Sequence, residues 1–190
     1  MYTIFEKPES TSRLGSWEKP LGRFREVIGH TALGSILLRN PDDSTYVALH
    51  PLNAGNNAST LGKFDSTAHF EAEVLGDEEK RYALCRPDAV MELEKRLGKL
   101  KANQVYYPVP YPMLGGSGSL ASYDKGDLWA FADIAGQTLG VDDDDDEPGT
   151  ASPKSSARPA KNWKTSPEIW TLIAVAVGLI LWVLIRQLLT

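Results

Sequence analysis

Residues Ile169 to Ile185 (IWTLIAVAVGLILWVLI) carry no charge, and only Trp170, Thr171 and Trp182 have polar atoms in their side chains. At about 1.5 Å per helical residue the stretch covers roughly 26 Å, or about 31 Å if Arg186 snorkels and Leu188 and Leu189 are counted. The hydrocarbon core of a bilayer is about 30 Å thick. Only a helix crosses it without stranding backbone N–H and C=O groups. Residues 167–190 therefore read as one transmembrane helix. The competing reading is a buried core helix, but core helices rarely stay apolar on every face for this length.

The positive-inside rule sets the orientation. Lys154, Arg158, Lys161 and Lys164 precede the span, and only Arg186 follows it, so everything before Ile169 is expected in the cytoplasm. Trp170 and Trp182 stand near opposite ends, where interface anchors belong. Met1 to Leu14 has no apolar run and no small-residue cleavage site, so no signal peptide is expected there. The lone Cys85 suits a reducing compartment. The expected location is the bacterial inner membrane, with a cytoplasmic domain on a C-terminal anchor.

The stretch 141–166 reads as a linker. Six consecutive acids, Asp142 to Glu147, lead into Pro148, Gly149, Pro153 and Pro159. A segment this polar cannot repay the entropy of ordering. As a flexible coil it would span roughly 28 Å. The acids lack the alternating spacing and glycine of a calcium loop. Anionic headgroups repel them and attract the basic residues that follow, which holds the domain off the bilayer.

Residues 1–140 remain, enough for one domain with a real core. The chain's net charge is -5 and no basic stripe interleaves with aromatics, so no nucleic-acid partner is expected. Leu21, Phe24, Val27 and Ile28 predict a short helix over 21–28. Residues 35–39 and 45–50 predict two strands joined by an Asn-Pro-Asp-Asp turn at 40–43. Asp65 or Ser66 is expected to cap a helix through about Leu75, with Phe70 and Val74 inward. A further helix starts after Pro87 and ends at Gly98. Residues 105–109 and 128–134 predict strands. The expected fold class is α+β, with a mixed, largely antiparallel sheet and flanking helices.

No reaction centre emerges. His30, His50 and His69 are scattered, without the paired spacing of a zinc site. Cys85 lies in an apolar stretch with no glycine-rich elbow and reads as a packed thiol. Leu114 to Leu120 (LGGSGSL) lacks the Lys and Ser/Thr of a phosphate loop, so its glycines are expected to allow positive φ or close approach. Asp124, Asp127 and Asp133 could surround a metal in a hydrolase, though no histidine supports them. No cofactor and no metal are expected.

The run Tyr106-Tyr107-Pro108-Val109-Pro110-Tyr111-Pro112-Met113 cannot be a central strand, because each proline removes a donor. It is expected at an edge or as a polyproline-like segment. Aromatic rings on a rigid extended backbone suit protein recognition; alternatively they cap the domain core.

Leu97-Gly98-Lys99-Leu100, Val105-Tyr106, Pro108, Leu114-Gly115-Gly116, Tyr123-Asp124-Lys125 and Gln137 together resemble the C-terminal domain of type VI secretion immunity proteins. Those proteins protect bacteria from DNase-type effectors, and the domain often follows a GAD-like region. Gly34 to Leu49 is similar to that family's strand-turn-strand, with Tyr46 at its end. The likeness covers roughly residues 33–139; the chain lacks a full GAD-like region. It implies no catalysis, but binding of a cognate toxin. The expected function is thus a membrane-anchored, non-enzymatic immunity or antitoxin-like protein. Its expected partner contacts are Tyr106, Tyr107, Tyr111, Tyr123, Asp124 and Trp129, with Trp170, Trp182 and Arg186 holding the lipid. The alternative is a structural adaptor recruiting a subunit of an inner-membrane complex, in which Ala174 and Gly178 would let spans approach closely.

Overall fold

Apolar residues alternate between two faces in the middle of the domain, and that alternation builds its centre. The computed structural model describes residues 1–55 and 57–141. The chain opens with strand β1 (Tyr2–Ser10), a 3-10 segment (Thr11–Trp17) and a single turn α1 (Glu18–Leu21). Strands β2 (Glu26–Thr31), β3 (Ile36–Asn40), β4 (Thr45–Leu49) and β5 (Ala58–Lys63) follow. Next come α2 (Thr67–Phe70), a π-helical turn (Glu71–Leu75), α3 (Glu78–Cys85) and α4 (Pro87–Leu97). The hairpin β6 (Gln104–Pro108) and β7 (Tyr123–Asp127) precedes α5 (Leu128–Leu139).

Strands β1 to β5 form one antiparallel sheet in sequence order. Because successive side chains point to opposite faces, Ile36, Leu38, Val47 and Leu49 join one core, where Leu14, Trp17 and the α5 residues Phe131, Ala132 and Ala135 cover them. Leu37, Tyr46 and Ala48 face the other way and meet Phe70, Val74 and Leu75. Both faces are therefore buried, which is why β3 and β4 read as nearly unbroken apolar runs. A third cluster, Ala32, Val90, Leu93 and Tyr106, seats α4 against β6. The α+β class with an antiparallel sheet and flanking helices is as expected.

The turn between β3 and β4 forms by the anticipated chemistry. Asn40 Oδ1 accepts from the Asp42 N–H at 3.1 Å and Asp43 Oδ1 from the Thr45 N–H at 3.1 Å. Ser66, rather than Asp65, caps α2 by accepting from the His69 N–H. Helix α4 begins at Pro87 and ends at Gly98, φ 77°.

Two expectations are corrected. The helix expected over 21–28 stops at Leu21: Gly22 takes φ 48°, and the β-branched Val27 and Ile28 lie on opposite faces of β2, one in each core. The strand expected over 128–134 is helix α5. Its buried residues Leu128, Trp129, Phe131, Ala132, Ala135 and Gly136 recur at helical spacing. Asp127 Oδ1 caps it, accepting from the N–H groups of Trp129 and Ala130 at 2.9 and 3.0 Å. A seven-residue window held too few turns to tell period 2 from period 3.6.

The linker expected over 141–166 and the span expected over 167–190, with Trp170, Trp182 and Arg186, lie outside the described residues except for Val141. Among the described residues no helix is long and apolar enough to cross a membrane.

Candidate functional site: an acidic helical face beside a polar cleft

The proline-tyrosine run is mostly turned inward. Tyr106 is 1% exposed, and its hydroxyl donates to the Gly98 carbonyl at 2.7 Å. Tyr111 is 8% exposed, and burial pushes its phenol up to about 12. Tyr107 stacks on Phe131 with centroids 5.3 Å apart and meets Tyr111 edge-on at 5.9 Å. Trp129 is 9% exposed, held between Phe5 and the Arg13 guanidinium, which sits 4.1 Å from the ring centroid. Tyr106, Tyr111 and Trp129 thus help to close the domain core and offer little surface to a partner. Tyr107 and Tyr123 are half-buried and Asp124 is exposed. From this region it is Val109 and Leu114 that reach solvent.

Some of the residues singled out between 97 and 125 meet. Tyr106 and Lys125 both donate to the Gly98 carbonyl, tying the end of α4 to the β6–β7 hairpin. A side chain at Gly116 would place its Cβ 1.9 Å from the Pro110 carbonyl oxygen, so this glycine is demanded by close approach. The N–H groups of Gly115 and Gly116 donate to Pro112 and Tyr111 carbonyls, which engages the loop internally.

The three aspartates do not converge on a metal. Asp127 caps α5, Asp124 stands exposed, and Asp133 accepts from the Ser16 N–H at 2.9 Å and the Ser16 hydroxyl at 2.8 Å. Those bonds hold the Asp133 carboxyl below the usual carboxylate range. Among the described residues no group of three or more His, Cys, Asp or Glu is placed to hold a metal ion. Cys85 is fully buried, and burial pushes its thiol up.

A different surface stands out. Between Asp65 and Glu94 the chain has nine Asp and Glu against Lys80, Arg81 and Arg86. Two of those cations are engaged locally: Lys80 Nζ donates to the Glu73 carbonyl at 2.9 Å, and Arg81 Nη1 to the Leu75 carbonyl at 2.9 Å. Glu73, Asp77, Glu78, Glu79, Asp88 and Glu92 remain exposed. Within this acidic face Tyr82 is 52% and Met91 55% exposed. The Tyr82 hydroxyl donates to Asp88 Oδ2, and Asp88 lies one turn before Met91 on α4. The two apolar side chains therefore share one side of the α3–α4 layer. The hydrogen bond to Asp88 raises the Tyr82 pKa, keeping the phenol neutral.

On the other side of α3 lies a cleft of about 240 Å³. His50 stands in its wall, with Nδ1 3.0 Å from Ser35 Oγ and Nε2 2.9 Å from Ser59 Oγ. The ring thereby joins the starts or ends of three neighbouring strands. Burial lowers the pKa of His50 and of His30. Both are held neutral in the fold. Below about pH 6.5 the unfolded chain takes up protons that the folded chain refuses. Stability is therefore complete above that pH and declines as pH falls toward the lowered folded values. Urea unfolding between pH 7.5 and 5 should show this decline, and a His30→Gln, His50→Gln chain should show less of it.

No family model matches the chain, and no curated protein matches it. Among solved structures it is similar to the crystal structure of Atu4351 from Agrobacterium tumefaciens, at 20% identity over 72% of this chain, with a TM-score of 0.48. The chain spans 66% of the length of that one.

Proposed function

We propose that this protein is a non-enzymatic, immunity- or antitoxin-like binding protein. It occludes a cognate secreted effector at the cytoplasmic face of the bacterial inner membrane, where its C-terminal segment anchors it. The observation that carries this reading is the acidic α3–α4 face with Tyr82 and Met91 exposed in its midst. Large apolar side chains surrounded by charge are the usual anchors of a protein interface. The excess negative charge suits a basic partner, because complementary potentials accelerate encounter and discourage wrong partners. The family resemblance over roughly residues 33–139 supports the same class of function.

The test uses the full-length chain and a protein it retains from its native host. Tyr82→Ala and Met91→Ala should each weaken that complex by about tenfold or more. Raising salt should slow association more than it speeds dissociation. Both are read by surface plasmon resonance. Unchanged affinity in both variants would remove this face from the interface, and a parallel Tyr107→Ala measurement would then report on the hairpin.

A further inference from the structure

The cleft beside His50 has a composition that the acidic face does not explain. It opens where five separate pieces of chain meet: the approach to β3, the loop after β4, the junction of α3 and α4, the start of β7, and α5. Its lining combines Ser35, Asn53, Arg86 and Tyr123 with Leu33, Leu52, Leu84 and Phe131. No Asp or Glu lines it. In a chain of net charge -5, a lining with Arg86 and no acid favours an anionic ligand.

Several of the cleft's polar groups have donors that the fold leaves unpaired. The Arg86 guanidinium makes no hydrogen bond or ion pair with any described residue, in contrast to Arg81 and Arg96, whose guanidinium groups donate to carbonyls. The Tyr123 hydroxyl and the Asn53 amide likewise have no hydrogen-bond partner among the described residues. Burial raises the Tyr123 pKa, so the hydroxyl keeps its proton. Neutral His50 has one ring donor and one ring acceptor. In the tautomer where Ser59 donates to Nε2, the Nδ1–H donates to Ser35, and the Ser35 hydroxyl hydrogen is left to point into the cleft. Residues carrying four such donors line the same cleft.

We infer that this cleft is a binding site for a small monocarboxylate with an apolar body about the size of one ring. The carboxylate accepts from Arg86, which can engage both oxygens, and from Tyr123, Asn53 or Ser35. The apolar body lies against the leucines and Phe131. Size agrees: an apolar cavity of about 150 Å³ accommodates benzene, and this cleft adds space for the carboxylate. Small-molecule sites pair an apolar wall with a few polar groups that fix the ligand's orientation. The inference is independent of the proposed partner interface, which lies on other residues.

Isothermal titration of the full-length chain with benzoate tests it, with benzamide as the neutral isostere. Saturable benzoate binding is expected, with benzamide at least tenfold weaker. Arg86→Gln should weaken benzoate about tenfold or more, and Tyr123→Phe severalfold. Lys95→Gln, which changes charge away from the cleft, should leave it unaltered. Absence of saturable benzoate binding overturns the inference. So does equal binding of benzoate and benzamide, or undiminished benzoate binding by both Arg86→Gln and Tyr123→Phe.

Discussion

Replacing Trp17 with alanine should lower the free energy of unfolding by about 3–5 kcal/mol, the range for emptying a buried aromatic site. Trp17 is 2% exposed and fills the core between the sheet and α5. Its Nε1–H donates to the Ala132 carbonyl at 2.9 Å. The fit is close enough that a Cβ added at Gly136 would lie 2.8 Å from Nε1. Against a total stability of about 5–15 kcal/mol, this loss leaves a marginal fold. Trp17→Phe retains most of the apolar contact and removes the hydrogen bond, so it should cost about 1 kcal/mol. Urea midpoints of the two variants measure the difference. Parental stability in Trp17→Ala would mean that the segment 11–17 is not part of the core.

Gly29→Ala should be comparably damaging, by about 3 kcal/mol, the upper end for overpacking a filled interior. The new Cβ would stand 2.2 Å from the Thr3 carbonyl oxygen and 3.1 Å from Ile4 Cα. Both are backbone atoms of β1 and cannot rotate aside. Relief requires β1 to move off β2. The β1–β2 pairing already shifts register between Ile4 and Glu9, so this ladder is the one positioned to yield. Amide exchange should accelerate first in β1, while β3 and β4, hydrogen-bonded on both sides, stay protected. Uniform acceleration through all five strands would instead mark β1 as inseparable from the rest.

Much of the central fold is legible in the residues themselves. The β3–β4 hairpin declares itself through Asn40 and Asp43, whose side chains bond the turn backbone, and α4 through Pro87 and Gly98. Strand β1 does not, since Glu6, Lys7, Pro8 and Glu9 interrupt any apolar alternation. Helix α3 is equally silent: Cys85 is its sole buried residue, so it has no apolar stripe to read. Helix α5 misleads because its first residues alternate as a strand's would, and the deciding evidence, the Asp127 cap and the small residues Ala135 and Gly136, lies at its two ends.

The candidate sites follow the same division. Tyrosines in a proline run have the composition of a binding surface, yet the hairpin rotates Tyr106 and Tyr111 into the core and leaves Val109 and Leu114 outside. Composition could not report that rotation. Tyr82 and Met91 look like isolated apolar residues in acidic helices, and only the α3–α4 corner brings them to one side. The cleft draws Ser35, His50, Arg86 and Tyr123 from four distant stretches, a juxtaposition no local pattern encodes. An acid-rich stretch from 65 to 94 was the available signal for the first surface. For the second there was none.

The bond from Ser16 to Asp133 spans 117 positions in the chain. Its neighbour from Trp17 to Ala132 spans 115. The helical segment at 11–17 therefore finds its seat only when α5 has emerged from the ribosome. Until then one face of the sheet is bare, and nascent chains carry it as a sticky surface through most of synthesis. Closing so long a loop before any reward slows folding. Such a chain consolidates late and in one step, so early termination before residue 128 should yield a product that aggregates rather than a smaller stable domain.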